Sequence, residues 1–157
     1  TTVPPDLNEV VELTAGAFHT CVLDVVGNIS CWGRDSSGQA TVPNDIGDVI
    51  QIVAGDNRSC AVTSDGAIAC WAHSFSALDA VDGVRHAALG YRHGCVVDGD
   101  GLVTCSGWNS SGQTTVPEGL LPIEQMDLGR QHSCAVDVNG GLSCWGDNLN
   151  GQSRVWQ

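Results

Sequence analysis

The sequence repeats one unit four times, and this repetition constrains the fold more than any other feature. A glycine opens each unit, and the glycines follow one another at intervals of 39, 35 and 39 residues: Gly16, Gly55, Gly90 and Gly129. Units of this size bury their apolar faces only against neighbouring units. We therefore expect one domain over residues 1–157, with repeats at about 1–39, 40–78, 79–113 and 114–157.

Each unit has the pattern of short β-strands around tight turns. Alternating stretches such as Cys21–Leu23 and Ile29–Cys31 flank a turn, and a further short strand precedes the leading glycine, as in Val49–Ala54. Glycine is the third residue of every turn, where a three-residue hairpin loop requires a left-handed backbone. Repeated blades of short strands predict an all-β protein, a β-propeller of four repeats.

Eight cysteines form four pairs, each with nine residues between its members: Cys21 and Cys31, Cys60 and Cys70, Cys95 and Cys105, Cys134 and Cys144. With the turn centred between them, the two cysteines of a pair lie opposite each other across adjacent strands, close enough for a disulfide. The alternative, a zinc site, lacks any C-x-x-C spacing. Four local disulfides indicate an oxidising compartment, extracellular or periplasmic.

The repeat unit resembles the regulator-of-chromosome-condensation repeat over essentially the whole chain. The resemblance rests on a Gly-x-x-His-(Ser/Thr) strand, an Asp-Gly turn and a Trp-Gly-x-Asn-x-x-Gly-Gln segment, with the best matches at Gly16–Thr20, Gly129–Ser133, Trp145–Asn148 and Gly151–Gln152. The GQTTVP variant at 112–117 is similar to a secreted β-lactamase inhibitor of the same superfamily. The resemblance implies a propeller, whereas the functions of members range from nucleotide exchange to light sensing and enzyme inhibition.

The two ends of the sequence predict a closed ring of four blades. Residues 1–4 and 153–156 occupy the same position of the repeat unit, so we expect them to pair and to join the first blade to the last. A closed ring implies a monomer. The relatives implied by the resemblance usually have seven repeats, and an open arc would leave sheet edges bare. The alternatives are therefore a half-ring completed by a homodimer and a piece of a longer array.

Charge and motif content exclude several functions. Six arginines and no lysine stand against eighteen Asp and Glu, which gives a net charge of −12. This charge opposes binding to nucleic acid and to anionic membranes, and no apolar run is long enough to insert into a bilayer. No G-x-S-x-G motif, phosphate loop or metal-ligand cluster occurs, and all thiols are assigned to disulfides. We predict no enzyme activity, no catalytic residues, no cofactor and no metal.

Positions that recur in phase are assigned to the fold. The recurring His19, His93 and His132, with Arg58 in the second copy, are expected to be hydrogen-bonded residues of the blades. Three tryptophans recur after the second cysteine and are expected to pack between blades: Trp32, Trp71 and Trp145. In the third repeat Ser106 takes this position, and Trp108 lies in the loop that follows.

Positions that differ between repeats are assigned to binding. Two loops vary, one after the leading glycine and one after the second cysteine. By resemblance to the β-lactamase inhibitor, both loops lie on one face, and Phe18 falls on an aromatic contact position. The candidate binding residues are Phe18, Asp56, Asn57, His73, Phe75, Tyr91, Arg92, Trp108, Arg130 and Gln131.

Aromatic and arginine side chains are the usual anchors of protein interfaces. We therefore predict a secreted, non-catalytic module that recognises a protein partner in an inhibitor-like manner. The alternatives are a lectin, in which Trp108 and Tyr91 stack on a glycan, and a structural spacer of a larger surface protein.

Overall fold

The computed structural model describes residues 2–73 and 77–155, which form four three-stranded antiparallel sheets. Each sheet consists of three strands consecutive in the chain and is one blade. The strands are β1 Val10–Ala15, β2 His19–Asp24 and β3 Ile29–Gly33; β4 Val49–Ala54, β5 Ser59–Thr63 and β6 Ile68–Trp71; β7 Val84–Leu89, β8 His93–Asp98 and β9 Val103–Gly107; β10 Ile123–Leu128, β11 His132–Asp137 and β12 Leu142–Gly146. The predicted all-β class and four repeated units are confirmed. No helix in the described ranges has the length and apolarity needed to cross a membrane.

The hairpin in each blade has the predicted register. The two cysteines of every pair lie directly opposite each other, with Cα atoms 4.0 or 4.1 Å apart, and all four predicted disulfides are present. The third turn residue has the expected left-handed backbone, as at Gly27, where φ is 90°. Each disulfide therefore ties the second strand of a blade to the third.

Apolar cores fill the three junctions between consecutive blades. At each junction the second strand of one blade packs against the first strand of the next, as Leu23 packs with Ile52 in one cluster. The second and third blades meet around Val62 and Ala87, and the third and fourth around Val97 and Met126. Because every core belongs to two blades, each blade depends on its neighbours for burial of its apolar faces.

A buried polar contact joins the first blade to the second. The carbonyl of Gln39 accepts hydrogen bonds from Ser59 Oγ and from Trp71 Nε1, both at 3.0 Å. Ser59 Oγ also lies 2.8 Å from His19 Nε2. Because the Ser59 hydroxyl proton is directed to Gln39, the neutral His19 ring donates through Nε2. We call this arrangement the Gln–Ser–Trp contact. The third junction repeats it with Gln113, Ser133, Trp145 and His93 at 2.9–3.1 Å.

The middle junction replaces this polar contact with an apolar one. Leu78 stands where the glutamine is expected and is fully buried among residues of the second and third blades. In the third blade Gly94 and Ser106 face each other, where serine or threonine faces tryptophan in the other blades. Both donors of the contact are thus lost together with the glutamine. The displaced tryptophan of the third repeat is therefore part of a change of the whole junction.

A second set of polar contacts connects the first strands of consecutive blades. In each case the side chain of the third strand residue bonds to a backbone group of the next first strand, at 2.8–2.9 Å: Glu12 to Ile52, Gln51 to Ala87 and His86 to Met126. These contacts set the alignment of neighbouring blades.

The described residues do not include a strand pair that joins the first sheet to the fourth. Thr2–Pro4 and Ser153–Val155 lie in turns and irregular segments, whereas Thr1 and Trp156 are outside the described residues. The closed ring thus stays a prediction.

Candidate functional site

The two variable loops of a blade lie side by side at one end of the sheets. In the first blade the amide of Arg34, in the second loop, donates to the carbonyl of Phe18, in the first loop, at 2.8 Å. The third and fourth blades have the same bond at 2.8 Å, from the Trp108 amide to the Arg92 carbonyl and from the Asp147 amide to the Gln131 carbonyl. We call this end of the protein the loop face. It comprises residues 16–18, 34–37, 55–57, 72–73, 90–92, 107–111, 129–131 and 147–150.

The first loops of all four blades surround one shallow depression. It is open to solvent, measures about 300 Å³, and is lined by the leading glycines and their neighbours. Each blade contributes the leading glycine and the residues on either side of it, and the residues that follow the glycine are Ala17, Asp56, Tyr91 and Arg130. The fold therefore brings together loops that are 35–39 residues apart in the sequence.

Four of the predicted binding residues form one compact group. The Arg92 guanidinium lies 5.2 Å from the Tyr91 ring centre and 5.5 Å from the Trp108 ring centre, and Arg130 lies 5.1 Å from the Tyr91 ring centre. Trp108 is 41% exposed. We call these residues the Arg–aromatic cluster. Each cation–π contact contributes about 0.5–1 kcal/mol at an exposed site, so these contacts favour the observed arrangement of the side chains.

A second pair of this kind lies on the first blade. Arg34 lies 5.4 Å from the ring centre of Phe18, which is 59% exposed. Arg34 Nε also donates to Ser36 Oγ at 2.9 Å. Arg34 is absent from the residues chosen from the sequence, although its place in the second variable loop was a signal for it.

The loop face concentrates the few positive charges of an acidic chain. Four of the six arginines lie on it or directly beneath it: Arg34, Arg58, Arg92 and Arg130. Burial lowers the pKa of Arg58, the nearby Asp56 opposes this shift, and Arg92 adds to it. Arginine forms planar, paired hydrogen bonds with carboxylates. The face can thus bind a carboxylate despite a net charge of −12.

The other predicted binding residues have different surroundings. Asp56 and Asn57 are half-buried; Asn57 Nδ2 donates to Asp56 Oδ2 at 2.8 Å, and Asn57 Oδ1 accepts from Gln39 Nε2 of the first blade at 3.2 Å. These two side chains therefore brace the first junction. Gln131 is half-buried, and its carbonyl accepts the Asp147 amide. His73 is exposed. Phe75 lies outside the described residues.

The recurring histidines belong to the blade junctions. His19 and His93 are 3% and 0% exposed, and the ring of each lies within hydrogen-bond distance of a serine of the next blade. Burial lowers the pKa of both rings, to about 4 for His93. Both are therefore neutral at pH 7. Within residues 2–73 and 77–155 no three His, Cys, Asp or Glu side chains are grouped so that they could hold a metal ion.

Comparison with known proteins places the repeats in one family. The profile of the regulator of chromosome condensation (RCC1) repeat matches residues 10–39, 49–71, 84–113 and 123–152, more than half of the chain. No curated protein sequence gives a significant match.

Solved structures show the same fold at low sequence identity. Prp20p from Saccharomyces cerevisiae superposes with a TM-score of 0.78 and 20% identity, over 94% of this chain and 46% of that one. The ectodomain of the receptor kinase CR4 from Physcomitrella patens gives 0.72 and 21%, over 88% and 39%. Human WBSCR16 gives 0.74 and 18%, over 87% and 47%. The chain thus spans half or less of the length of these proteins.

Proposed function

Because the chain belongs to the regulator of chromosome condensation (RCC1) repeat family, we propose that it is a non-catalytic module that recognises a protein partner through the loop face. One structure of Prp20p is described together with its binding properties to Gsp1p and histones. A second structure contains Kap60 bound to yeast RCC1 (Prp20). Those proteins thus bind other proteins. The partner of this chain is a separate question, which the chemistry of its own loops addresses.

The Arg–aromatic cluster is the observation on which this proposal rests. It combines arginine, tyrosine and tryptophan, the residues most often found at the energetic centres of interfaces. Its two guanidinium groups flank one ring, so a partner carboxylate can bind beside an apolar contact on Tyr91 or Trp108. The overall charge of −12 favours a partner that is basic as a whole, with a local acidic group facing the cluster.

The four disulfides fit an extracellular or periplasmic protein, and we place its partner there. The loop face is broad, because loops of four blades contribute to it. A broad face that covers the surface of a target can act as an inhibitor. We therefore retain an inhibitor-like role as part of the proposal.

Affinity capture from the native extracellular fluid tests the proposal. The bait is the whole chain, compared with the loop-face variant Phe18→Ala/Tyr91→Ala/Trp108→Ala. A control variant, Val26→Ala/Leu102→Ala/Val138→Ala, removes apolar side chains that are 70%, 62% and 55% exposed at the hairpin turns of the blades.

We expect one partner to bind the wild type and the control equally, and the loop-face variant at least about 100-fold more weakly, because anchor residues cost more than about 1 kcal/mol each. Equal binding to all three baits refutes the proposal. A glycan array tests the lectin alternative, which requires glycan binding that the single change Trp108→Ala abolishes. Failure of the wild type to bind either class supports the spacer alternative.

A further inference from the structure

The three junctions define two faces on every blade. The trailing face is directed to the next blade in the chain, and the leading face to the previous one. At each junction a residue of the leading face is almost fully buried: Ile52 at 2%, Ala87 at 1% and Met126 at 4% exposure. The matching residues of the trailing face, Leu23, Val62 and Val97, are 0–5% exposed. Low exposure of the side chains at these positions thus identifies a blade face that is covered by a neighbouring blade.

Part of the leading face of the first blade is uncovered, although Val22 on the same face is 3% exposed. Leu13 occupies the position of Ile52 but is 65% exposed. Trp32 is half-buried, whereas Trp71 at the same repeat position is 6% exposed. Thr20, which faces Trp32 across the hairpin, stands at the position of the serine donor. This end of the protein thus presents an apolar face with two hydrogen-bond donors.

The trailing face of the fourth blade is also uncovered. Leu142 is 50% exposed, and Val136 and His132 are half-buried, although their counterparts His93 and Val97 in the third blade have 0% exposure. A groove of about 320 Å³ lies beside this face and is lined by Gln131, His132 and Gln152 among others. Within residues 2–73 and 77–155, both end faces of the chain thus have exposed apolar side chains.

The two uncovered faces carry the complementary halves of a Gln–Ser–Trp contact. Gln152 stands at the repeat position of Gln39, whose carbonyl is the acceptor, and Thr20 and Trp32 stand at the two donor positions. The side-chain amide of Gln39 reaches across its junction, whereas that of Gln152 turns back to Asp147 Oδ2 at 2.7 Å.

The contacts between first strands are complementary in the same way. Gln125 is exposed and stands where Glu12 and Gln51 reach the next blade. The position that would receive it corresponds to Leu13 of a following first blade. The trailing face of the fourth blade therefore carries side chains that can form these junction contacts with the leading face of a first blade of this sequence.

We propose that the trailing face of the fourth blade docks onto the leading face of the first blade in a second copy of this chain. Two copies then form two identical junctions and close a ring of eight blades around a two-fold axis. A second copy is the partner because its free face matches in apolar, donor and acceptor positions. The two loop faces then lie on the same side, which gives the ring two equivalent binding sites.

Light scattering after size-exclusion chromatography tests this interface at micromolar concentration. We expect twice the chain mass of 16.3 kDa for the wild type. Leu13→Asp and Leu142→Asp alter exposed side chains on the two end faces, so each variant should retain its far-UV circular dichroism spectrum and elute as a monomer. Leu149→Asp is the matched control, because Leu149 is 90% exposed in a loop, and it should remain a dimer.

Mixing the two single variants distinguishes a head-to-tail contact from other dimers. Leu13→Asp retains an intact trailing face and Leu142→Asp an intact leading face, so an equal mixture should recover a dimer with one junction. A monomeric wild type, a dimer that persists in both variants, or a mixture that stays monomeric overturns the proposal.

The end-face proposal and the loop-face proposal fail independently. The variant Phe18→Ala/Tyr91→Ala/Trp108→Ala should remain a dimer, because its changes lie on the loop face. A monomeric wild type that still captures its partner through the loop face contradicts the end-face proposal alone. A dimer whose partner binding is insensitive to that variant contradicts the proposed function alone.

Discussion

Replacing Ser133 with alanine should weaken the third junction by about 2–4 kcal/mol. Ser133 Oγ donates to the Gln113 carbonyl at 2.9 Å and accepts from His93 Nε2 at 3.1 Å, and both Ser133 and His93 have 0% exposure. Loss of the first bond costs about 1 kcal/mol. The buried Nε2–H of His93 then has no acceptor, and this unsatisfied donor costs about 1–3 kcal/mol more.

Urea unfolding of the unreduced protein, followed by far-UV circular dichroism, measures this loss. A destabilisation of this size lowers the melting temperature by about 5–15 °C in a chain of this length. Ser59→Ala should lower stability comparably, because Ser59 makes the same contacts at the first junction. Ser110→Ala is the control, since Ser110 is exposed on the loop face. If Ser133→Ala and Ser110→Ala unfold within about 0.5 kcal/mol of each other, the Gln–Ser–Trp contact does not hold the blades together.

Three further predictions concern the junctions and the hairpins. Burial lowers the pKa of His93 from 6.5 to about 4. As the pH falls, the imidazole therefore takes up a proton in the unfolded chain before it does so in the folded protein. The neutral His93 ring contributes about 2 kcal/mol to the free energy of unfolding, after allowance for solvent screening. This contribution is fully present above pH 6.5 and is lost as the pH falls through about 4. Urea midpoints at pH 7 and pH 4 should therefore differ less in His93→Gln than in the wild type; equal differences would be evidence against a neutral, buried ring. Removing the disulfide with Cys134→Ser/Cys144→Ser should cost about 2–3 kcal/mol in the same assay, and an unchanged midpoint would show that this bridge constrains nothing. Leu78→Ala should cost about 2–5 kcal/mol by opening a cavity at the middle junction, whereas Leu149→Ala should leave stability unchanged; similar values for the two would exclude Leu78 from the core.

The fold could be predicted from the sequence because its signals are local and occur four times. A glycine in the third turn position and two cysteines at a fixed spacing determine the hairpin register, as the pairing of Cys21 with Cys31 shows. Each hairpin requires only neighbouring residues. Repetition then makes one local rule apply to the whole chain.

The junction contacts could not be predicted, because their partners are distant and include a backbone carbonyl. Ser59 and Trp71 bond to the carbonyl of a residue 20 and 32 positions earlier, and any residue type has such a carbonyl. The sequence indicated only that Ser106 takes the tryptophan position of the third blade, whereas the structure shows a junction rebuilt around Leu78.

Variation between repeats located the loop face but not the role of each residue on it. Tyr91 and Arg130 belong to different blades, and their contact arises only when those blades pack. Asp56 and Asn57 vary as much in sequence, yet they brace a junction. Variable positions thus mark the loops, and the packing of neighbouring blades determines which side chains are exposed on the loop face.

Hydrogen exchange on the complex with the captured partner tests the role of the loop face most directly. We predict slower exchange on binding in residues 16–18, 90–92, 107–111 and 129–131, with no change in the hairpin turns at the opposite end, such as 98–102. Protection confined to those hairpin turns, with unchanged exchange around Tyr91, Arg92 and Trp108, would contradict this prediction.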